Sequence, residues 1–173
     1  MYLAKLAMVA WLMFMNIGHE VIKCDQAKID TITPTKLFTK LDADAILGAS
    51  THITDSVPKN EGVKFTYLSG YKTDQKDQKS GKIGALYFFF EAYNNLDGAR
   101  ERFSDVLVSN EPHGARAVDH FGDEALYHTD NQNFDLMMVR KGRYVFSIKI
   151  NKRTSTTRLD ALKKVIKRIA DQI

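Results

Sequence analysis

The chain has 173 residues, of which 44% are hydrophobic and 27% are charged, and its formal net charge at pH 7 is +4. A chain of this length is ordinarily one domain, and its composition excludes a disordered, collagen-like or coiled-coil protein. So small a net positive charge is typical of a soluble protein and does not indicate a nucleic-acid partner. Nucleic-acid binding is therefore not expected.

The first residues have the layout of a secretory signal peptide. Lys5 precedes an apolar run over residues 6–15, and polar residues follow. The run is shorter than the roughly 20 apolar residues of a membrane span, and it lacks the single apolar stripe of a surface helix. We predict a signal peptide or N-terminal anchor over residues 1–24, a short linker over 25–32 and one domain over 33–173. The alternative is a buried N-terminal helix of a cytoplasmic protein.

Cys24 is the single cysteine of the chain and lies at the end of this segment. A single cysteine cannot form an internal disulfide. The sequence Val21-Ile22-Lys23-Cys24 resembles a bacterial lipoprotein signal, in which the cysteine is lipidated and becomes the first residue. It departs from that pattern at Lys23, where the resemblance calls for Gly, Ala or Ser. We therefore expect a secreted or periplasmic protein, with membrane attachment only through a lipidated Cys24 or an uncleaved N-terminus.

The sequence of the first half of the domain predicts a helix followed by a β-hairpin. A helix is predicted from Pro34 to a stop at Gly48, with Asp42 and Asp44 available to cap a second turn. The remaining elements are a surface loop over residues 49–62, a strand over 63–68, a solvated loop over 72–81 and a strand over 83–93. Both alternating sets of the last strand are apolar, so both faces of the sheet are expected to be covered there.

The second half reads as two amphipathic helices with strands between them. Asn94 or Asn95 caps the first of these helices, and Thr156 or Thr157 caps the last. The expected strands lie at residues 117–118, 125–127, 134–139 and 144–150. Because the connections are of hairpin length, we predict an α+β fold: a single domain with a mainly antiparallel sheet of about five strands and three helices packed on it.

Short motifs at the ends of these elements carry a resemblance. Asp-Ala-Ile-Leu-Gly at residues 44–48 closes the first helix, Phe-Gly-Asp-Glu-Ala at 121–125 enters a strand, and Val-Arg-Lys-Gly at 139–142 forms a hairpin. With the terminal amphipathic helix, these motifs resemble a group of small secreted bacterial envelope proteins of unknown function and, more distantly, the PsbP-like α/β/α sandwich. The resemblance covers residues 33–173 and implies a fold and an export route, but no catalytic residue.

No motif in the chain identifies a reaction. The best cluster of potential metal ligands is His120, Asp123, Glu124 and His128, which straddle a turn without the convergent spacing of a metal site. The chain has no Gly-x-Ser-x-Gly elbow and no glycine-rich phosphate loop between a strand and a helix. We therefore predict no catalytic residue, no metal and no cofactor.

Two sets of side chains are candidates for binding. Tyrosines near strand ends often present a hydroxyl group to a ligand cavity, although most aromatic residues are core. The candidate ligand-binding residues are Tyr67, Tyr87, Tyr127 and Tyr144. A basic stripe on the last helix is ordinarily a solvated face, and otherwise meets an anionic partner. Its members are Lys163, Lys164, Lys167 and Arg168.

These patterns favour an exported envelope protein of unknown activity, acting as a non-enzymatic binding or interaction module for a protein or a small molecule. The alternative is a small secreted hydrolase whose site is assembled from distant loops. A third reading, cytoplasmic nucleic-acid binding, requires that the N-terminal apolar run remain uncleaved.

Overall fold

A computed structural model describes residues 32–173 of the chain. The predicted signal peptide, Cys24 and all of the predicted linker except Ile32 lie outside the described residues. The strands are β1 (Thr51–Asn60), β2 (Lys64–Thr73), β3 (Ala85–Tyr93), β4 (Arg116–Ala117), β5 (Glu124–Thr129), β6 (Asp135–Lys141) and β7 (Tyr144–Lys152). The helices are α1 (Pro34–Leu37), α2 (Lys40–Leu47), α3 (Leu96–Asn110) and α4 (Leu159–Gln172), with a 3-10 turn over Glu111–His113.

All strands belong to one antiparallel sheet in the order β1-β2-β3-β7-β6-β5-β4. The predicted α+β class and antiparallel sheet are confirmed. Within residues 32–173 the sheet has seven strands rather than about five, and the α-helices number four rather than three. The strand that was not predicted is β1, at one edge of the sheet, and the additional helix results from division of the first predicted helix.

β1 occupies the segment in which the sequence predicted a surface loop, so that prediction is wrong. Only Thr51 is buried, and every other residue of the strand is exposed. β1 is an edge strand that pairs with β2 alone. Because neither of its faces is covered, the alternation of apolar and polar residues that marks a half-buried strand is missing. Pro58 fits this position, since proline within sheets is confined to edges and strand starts.

The single helix predicted before Gly48 is two helices. Phe38 separates them with an extended backbone, at φ −132° and ψ 124°. Its buried ring lies 4.9 Å from the ring centroid of Phe88 and 5.5 Å from that of Tyr71. The chain then restarts at a capping box, in which the Thr39 amide donates to the Asp42 carboxylate at 2.9 Å. Burial of Phe38 therefore determines the break, and Gly48 ends α2 in the left-handed conformation as predicted.

The main core lies on the face of the sheet that α2 and α4 cover, which we call the α2/α4 face. From α4 it includes Leu162, Val165, Ile166 and Ile169, as the predicted helical stripe required. From the two central strands it includes Leu86, Phe88, Phe90, Phe146, Ile148 and Ile150. A helix that is apolar along one stripe thus buries that stripe against the apolar face of the sheet.

The opposite face, which we call the α3 face, is covered in part. α3 packs on β3, β6 and β7, where Ala99 and Phe103 meet Leu126, Met138 and Val145. On the same face, Tyr87 and Phe89 of β3 are only half-buried. The prediction that both faces of the sheet are covered therefore holds at the end of β3 near Glu91. On the α3 face, coverage is incomplete toward β2 and β1.

The predicted threonine cap of the last helix is wrong. Arg158 occupies the N-cap position and makes no side-chain capping hydrogen bond. The Thr156 hydroxyl instead donates to the Leu47 carbonyl at 2.7 Å, and the Thr157 hydroxyl accepts from the Thr154 amide at 2.9 Å. Thr156 therefore ties the loop before α4 to the end of α2, and Thr157 stabilises that loop internally.

The loop predicted over residues 72–81 begins later than expected. Lys72 and Thr73 complete β2, and Thr73 is buried. The loop is also bound to the rest of the molecule, because the Ser155 hydroxyl donates to the Asp77 carboxylate at 2.6 Å. The loop is therefore exposed, as predicted, at all of residues 74–81 except Asp77, and Asp77 tethers it to the loop before α4.

Candidate functional site

The four candidate tyrosines do not meet in one site. Tyr67, Tyr127 and Tyr144 lie on the α2/α4 face, and Tyr87, which alternates with core residue Phe88, lies on the α3 face. Along the sheet, β3, β7 and β6 separate the strand of Tyr67 from that of Tyr127. The four tyrosines therefore do not form a common binding site, and each has its own set of neighbours.

Two of these tyrosines have mainly packing roles. The Tyr67 hydroxyl lies 3.1 Å from Ser56 Oγ, and its ring borders a cavity of about 320 Å³ beneath β1. The Tyr144 ring stacks on Phe90 with centroids 5.8 Å apart, and the Arg143 guanidinium lies 5.4 Å from the Tyr144 centroid. Both rings are thus held by neighbouring side chains.

Tyr127 lines a cavity of about 400 Å³ between the start of α4 and the β4-β5-β6 end of the sheet. We call this the α4 cavity. Its apolar walls are Val118, Phe121, Met137, Leu159 and Leu162, and its polar rim is Arg116, Asn131 and Lys163. This volume and this mixture of apolar walls with few polar groups are typical of small-molecule sites. The cavity brings Tyr127 together with Lys163, a member of the basic stripe.

Helical spacing explains the α4 side of the cavity. Leu162 and Lys163 lie three and four residues after Leu159, so each is a neighbour of Leu159 on the helix surface. Leu162 is fully buried, whereas Leu159 is half-buried and Lys163 is exposed. The face therefore runs from an apolar floor to a charged rim.

A sharp turn supplies the opposite wall. His120 and Gly122 both have positive φ, at +73° and +63°, on either side of Phe121. A Cβ at Gly122 would lie 2.6 Å from the Arg140 carbonyl oxygen, so the turn requires glycine there. Phe121 is half-buried and packs against the main core. The turn thus positions an aromatic side chain beside α4.

The Tyr127 hydroxyl is engaged beneath the cavity. It donates to Asp135 Oδ1 at 2.5 Å, and Asp135 is completely buried. Arg153 Nε lies 3.3 Å from the other oxygen of this carboxylate. Burial, and then the Asp135 carboxylate, raise the pKa of Tyr127 above its ordinary value. Tyr127 therefore stays protonated and contributes its ring rather than a nucleophile to the cavity.

The rim of the α4 cavity carries positive charge without a countercharge. The Arg116 guanidinium lies 5.5 Å from the Tyr127 ring centroid, and no Asp or Glu is among the lining residues. Within residues 32–173, neither Arg116 nor Lys163 forms an ion pair. The Asn131 side-chain amide likewise has no hydrogen-bond partner in this part of the chain. The rim thus offers hydrogen-bond donors to an anionic group.

The rest of the basic stripe is partly neutralised. Arg168 lies 3.0 Å from an Asp42 carboxylate oxygen and donates to the Leu37 carbonyl at 3.0 Å. Lys167 pairs with Asp171 at 3.1 Å, whereas Lys164 is exposed. The stripe therefore divides into Lys163 at the cavity, Lys164 in solvent, and a C-terminal pair bound to carboxylates.

The cluster considered for metal binding serves the β6-β7 hairpin instead. Asp123 accepts from the Gly142 amide at 2.8 Å and from Arg140 Nη1 at 2.9 Å, and Glu124 pairs with Arg140 Nε. The Gly142 amide, followed by Lys141 and Arg140, holds the pKa of Asp123 below its ordinary value. Among residues 32–173 no group of three or more His, Cys, Asp or Glu side chains is arranged to hold a metal ion.

The histidines of that cluster are separate from its carboxylates. His128 Nε2 lies 2.9 Å from the His113 carbonyl oxygen, and His120 is exposed at the turn. Neither is hydrogen-bonded to Asp123 or Glu124. The arrangement supplies no histidine that a carboxylate orients for general-base chemistry.

No protein-family model, curated protein or solved structure matches this chain. Across residues 32–173, none of the helices combines the length and hydropathy of a membrane span.

Sequence reasoning missed most of the cavity. Arg116 begins β4 and Val118 follows it, and a strand of two residues is too short to produce a periodic pattern. Phe121 is an isolated aromatic residue among polar turn residues, and this was the one available signal that the turn packs against something. The convergence of this turn with α4 depends on tertiary structure, which no local pattern encodes.

Proposed function

We propose that this protein is an exported envelope protein that acts as a non-enzymatic binding module, with the α4 cavity as its small-molecule site. The observation that carries the proposal is the α4 cavity itself, a space of about 400 Å³ that combines apolar walls with unpartnered polar groups at its rim. Unpartnered polar groups destabilise the free protein little, because water hydrates them. They can then orient a ligand whose apolar part contacts the cavity walls.

The chemistry around the cavity supports binding rather than hydrolysis. Tyr127 is held protonated by Asp135, and Asp123 is bound to Arg140 and Gly142. These carboxylates thus stabilise neighbouring groups rather than activate a nucleophile. Export is supported by the charged, apolar and polar order of residues 1–20.

Filling the cavity tests its role in binding. We expect the neutral probe N-phenyl-1-naphthylamine to bind the wild-type protein saturably, with increased fluorescence. Leu159→Trp places an indole at the mouth of the α4 cavity and should abolish this binding. The matched control is Lys164→Trp, which adds the same ring on the exposed side of α4. Equal fluorescence from both variants, with both folded by circular dichroism, would contradict the assignment of this cavity.

Intact mass tests export. The full chain is expressed with its natural N-terminus in a bacterial host, and periplasmic and membrane fractions are analysed separately. We expect a mass lacking about two dozen N-terminal residues, with added acyl chains if Cys24 is lipidated. A full-length product confined to the cytoplasm would contradict export. The proposed binding function would then still be tested by the fluorescence experiment.

A further inference from the structure

We propose that the α4 cavity is selective for an amphipathic organic monoanion, a carboxylate or sulfonate with a compact apolar body. This inference rests on the proposed binding function and adds the chemical class of the ligand. The juxtaposition that carries it is that of Arg116 and Lys163, two cations that line the same cavity as the half-buried apolar side chains of Val118, Phe121 and Leu159.

The two rim cations, Arg116 and Lys163, differ in their pairing from the cations that neutralise buried carboxylates elsewhere in the fold. The buried carboxylate of Glu91 is paired with Lys64 and Arg102, and that of Asp135 with Arg153. Arg116 and Lys163 have no carboxylate partner within residues 32–173. A ligand anion between them would gain two charged donors without displacing an existing ion pair.

The rim also fixes where the anionic group sits. Arg116 comes from β4, and its guanidinium is held over the Tyr127 ring, whereas Lys163 comes from α4 on the other side of the cavity. A guanidinium presents two parallel N–H donors to a carboxylate, and an ammonium adds a compact charge. The amide of Asn131 lies on the same rim as a further donor. A carboxylate at the mouth would therefore meet a rim whose polar side chains are all hydrogen-bond donors.

The interior selects against inorganic anions. Below the rim, the half-buried side chains of Val118, Phe121 and Leu159 present apolar surface that phosphate or sulfate would leave uncovered. Burial of apolar surface tightens binding by about fourfold for each methylene group. Affinity should therefore rise with the length of the ligand's hydrocarbon chain until the cavity is filled.

Charge-matched probes test this inference. Octanoate, octan-1-ol and octyltrimethylammonium have the same chain and differ in the charge of the head group. We expect octanoate to bind more tightly than octan-1-ol by isothermal titration calorimetry, and the cation not to bind. Arg116→Gln and Lys163→Gln should each weaken octanoate by about tenfold while leaving octan-1-ol unchanged. Lys164→Gln is the matched control, because it removes the adjacent charge outside the cavity.

Each other outcome overturns a distinct part of the proposal. Equal binding of octanoate and octan-1-ol, unaffected by Arg116→Gln or Lys163→Gln, would refute the anion class while the binding function stands. No binding of octanoate, of octan-1-ol or of N-phenyl-1-naphthylamine would refute the proposed function as well. Co-sedimentation with phosphatidylglycerol vesicles that depends on Arg116 and Lys163, without octanoate binding, would refute a free ligand in favour of a membrane surface. The variant side chains are exposed, so thermal melts should match wild type.

Discussion

Glu91 shows how single residues determine the stability of this fold. It lies on the α3 face, 1% exposed, and accepts hydrogen bonds from Lys64 Nζ at 2.8 Å, Arg102 Nε at 2.9 Å and the Tyr93 hydroxyl at 3.1 Å. Burial and the Glu91 carboxylate raise the pKa of Tyr93 well above its usual range. A carboxylate buried this deeply is tolerated because the two cations on its neighbours compensate it.

Replacing Glu91 with Gln should therefore lower the free energy of unfolding by about 3 kcal/mol, because the Lys64 and Arg102 charges lose their buried partner. We expect the lower end of the range for broken buried pairs, since both cations remain partly hydrated. Urea unfolding followed by circular dichroism measures the change. Glu101→Gln on the exposed side of α3 is the control, and equal losses for the two variants would show that burial of Glu91 is not the cause.

Asp130 gives a prediction about pH. Its carboxylate accepts from the backbone amides of Phe134 at 3.0 Å, Asn133 at 2.7 Å and Gln132 at 3.0 Å, and these bonds hold its pKa well below the usual range. A lowered folded-state pKa contributes stability above the unfolded value of about 3.9, and this contribution is lost as the pH falls through the folded pKa. The free energy of unfolding should therefore fall from pH 5 to pH 2, and less steeply in Asp130→Asn, by urea unfolding at each pH. Asp97→Asn, at a side chain 92% exposed, should keep the wild-type slope.

At the scale of elements, the contact between the end of α2 and the loop before α4 requires a close approach of the two backbones. Gly48 has φ +67°, and a Cβ there would lie 2.1 Å from the Thr156 carbonyl oxygen. Gly62 has a similar φ of +79°, but no atom lies within 4 Å of its Cβ position. The two glycines thus separate the cost of the left-handed conformation from the cost of a clash.

We expect Gly62→Ala to cost about 1 kcal/mol, because an L-residue is strained in the left-handed region. Gly48→Ala should cost about 3 kcal/mol or more, because the loop before α4 must also move away from α2. Thermal and urea unfolding of the two variants provide the comparison. If the two substitutions cost the same, contact with Thr156 does not constrain the end of α2.

Elements whose side chains are patterned by burial could be predicted from the sequence, and the others could not. The apolar spacing of α4 predicted the residues that it buries, and Asn95 caps α3 as predicted, accepting from the Gly98 amide at 2.9 Å. β1 was missed because neither of its faces is covered. For the site, Tyr127 and Lys163 were candidates separately, but their meeting in one cavity depends on how α4 crosses the sheet.

At the scale of the whole molecule, the sheet ends in two unequal edges. β4 contributes only two residues, whereas β1 presents ten residues at the opposite edge. A long exposed edge strand is a template for pairing with another chain. β1 carries features that oppose such pairing: Pro58, Lys59 and an irregularity between Ile53 and Asp55.

Pro58→Val should therefore increase self-association, because it restores an N–H group and β-sheet propensity to this edge. Sedimentation velocity over a range of protein concentrations measures the effect. Asn60→Val is the control, since it raises β-sheet propensity in the same strand while retaining Pro58. Equal association of both variants would show that hydrophobicity, and not the missing N–H donor, limits pairing.

The contacts of α2 with α4 and with the loop before it also determine when the chain can fold. The Arg158 amide donates to the Ile46 carbonyl at 2.8 Å, and Arg168 binds Asp42 and the Leu37 carbonyl. The core on this face lacks one wall until α4 has left the ribosome. During synthesis, this core therefore cannot be completed before α4 has emerged, because contacts between distant segments form late. If the protein is exported as proposed, a translocation apparatus that accepts only unfolded chains could engage the chain throughout the synthesis of residues 32–158.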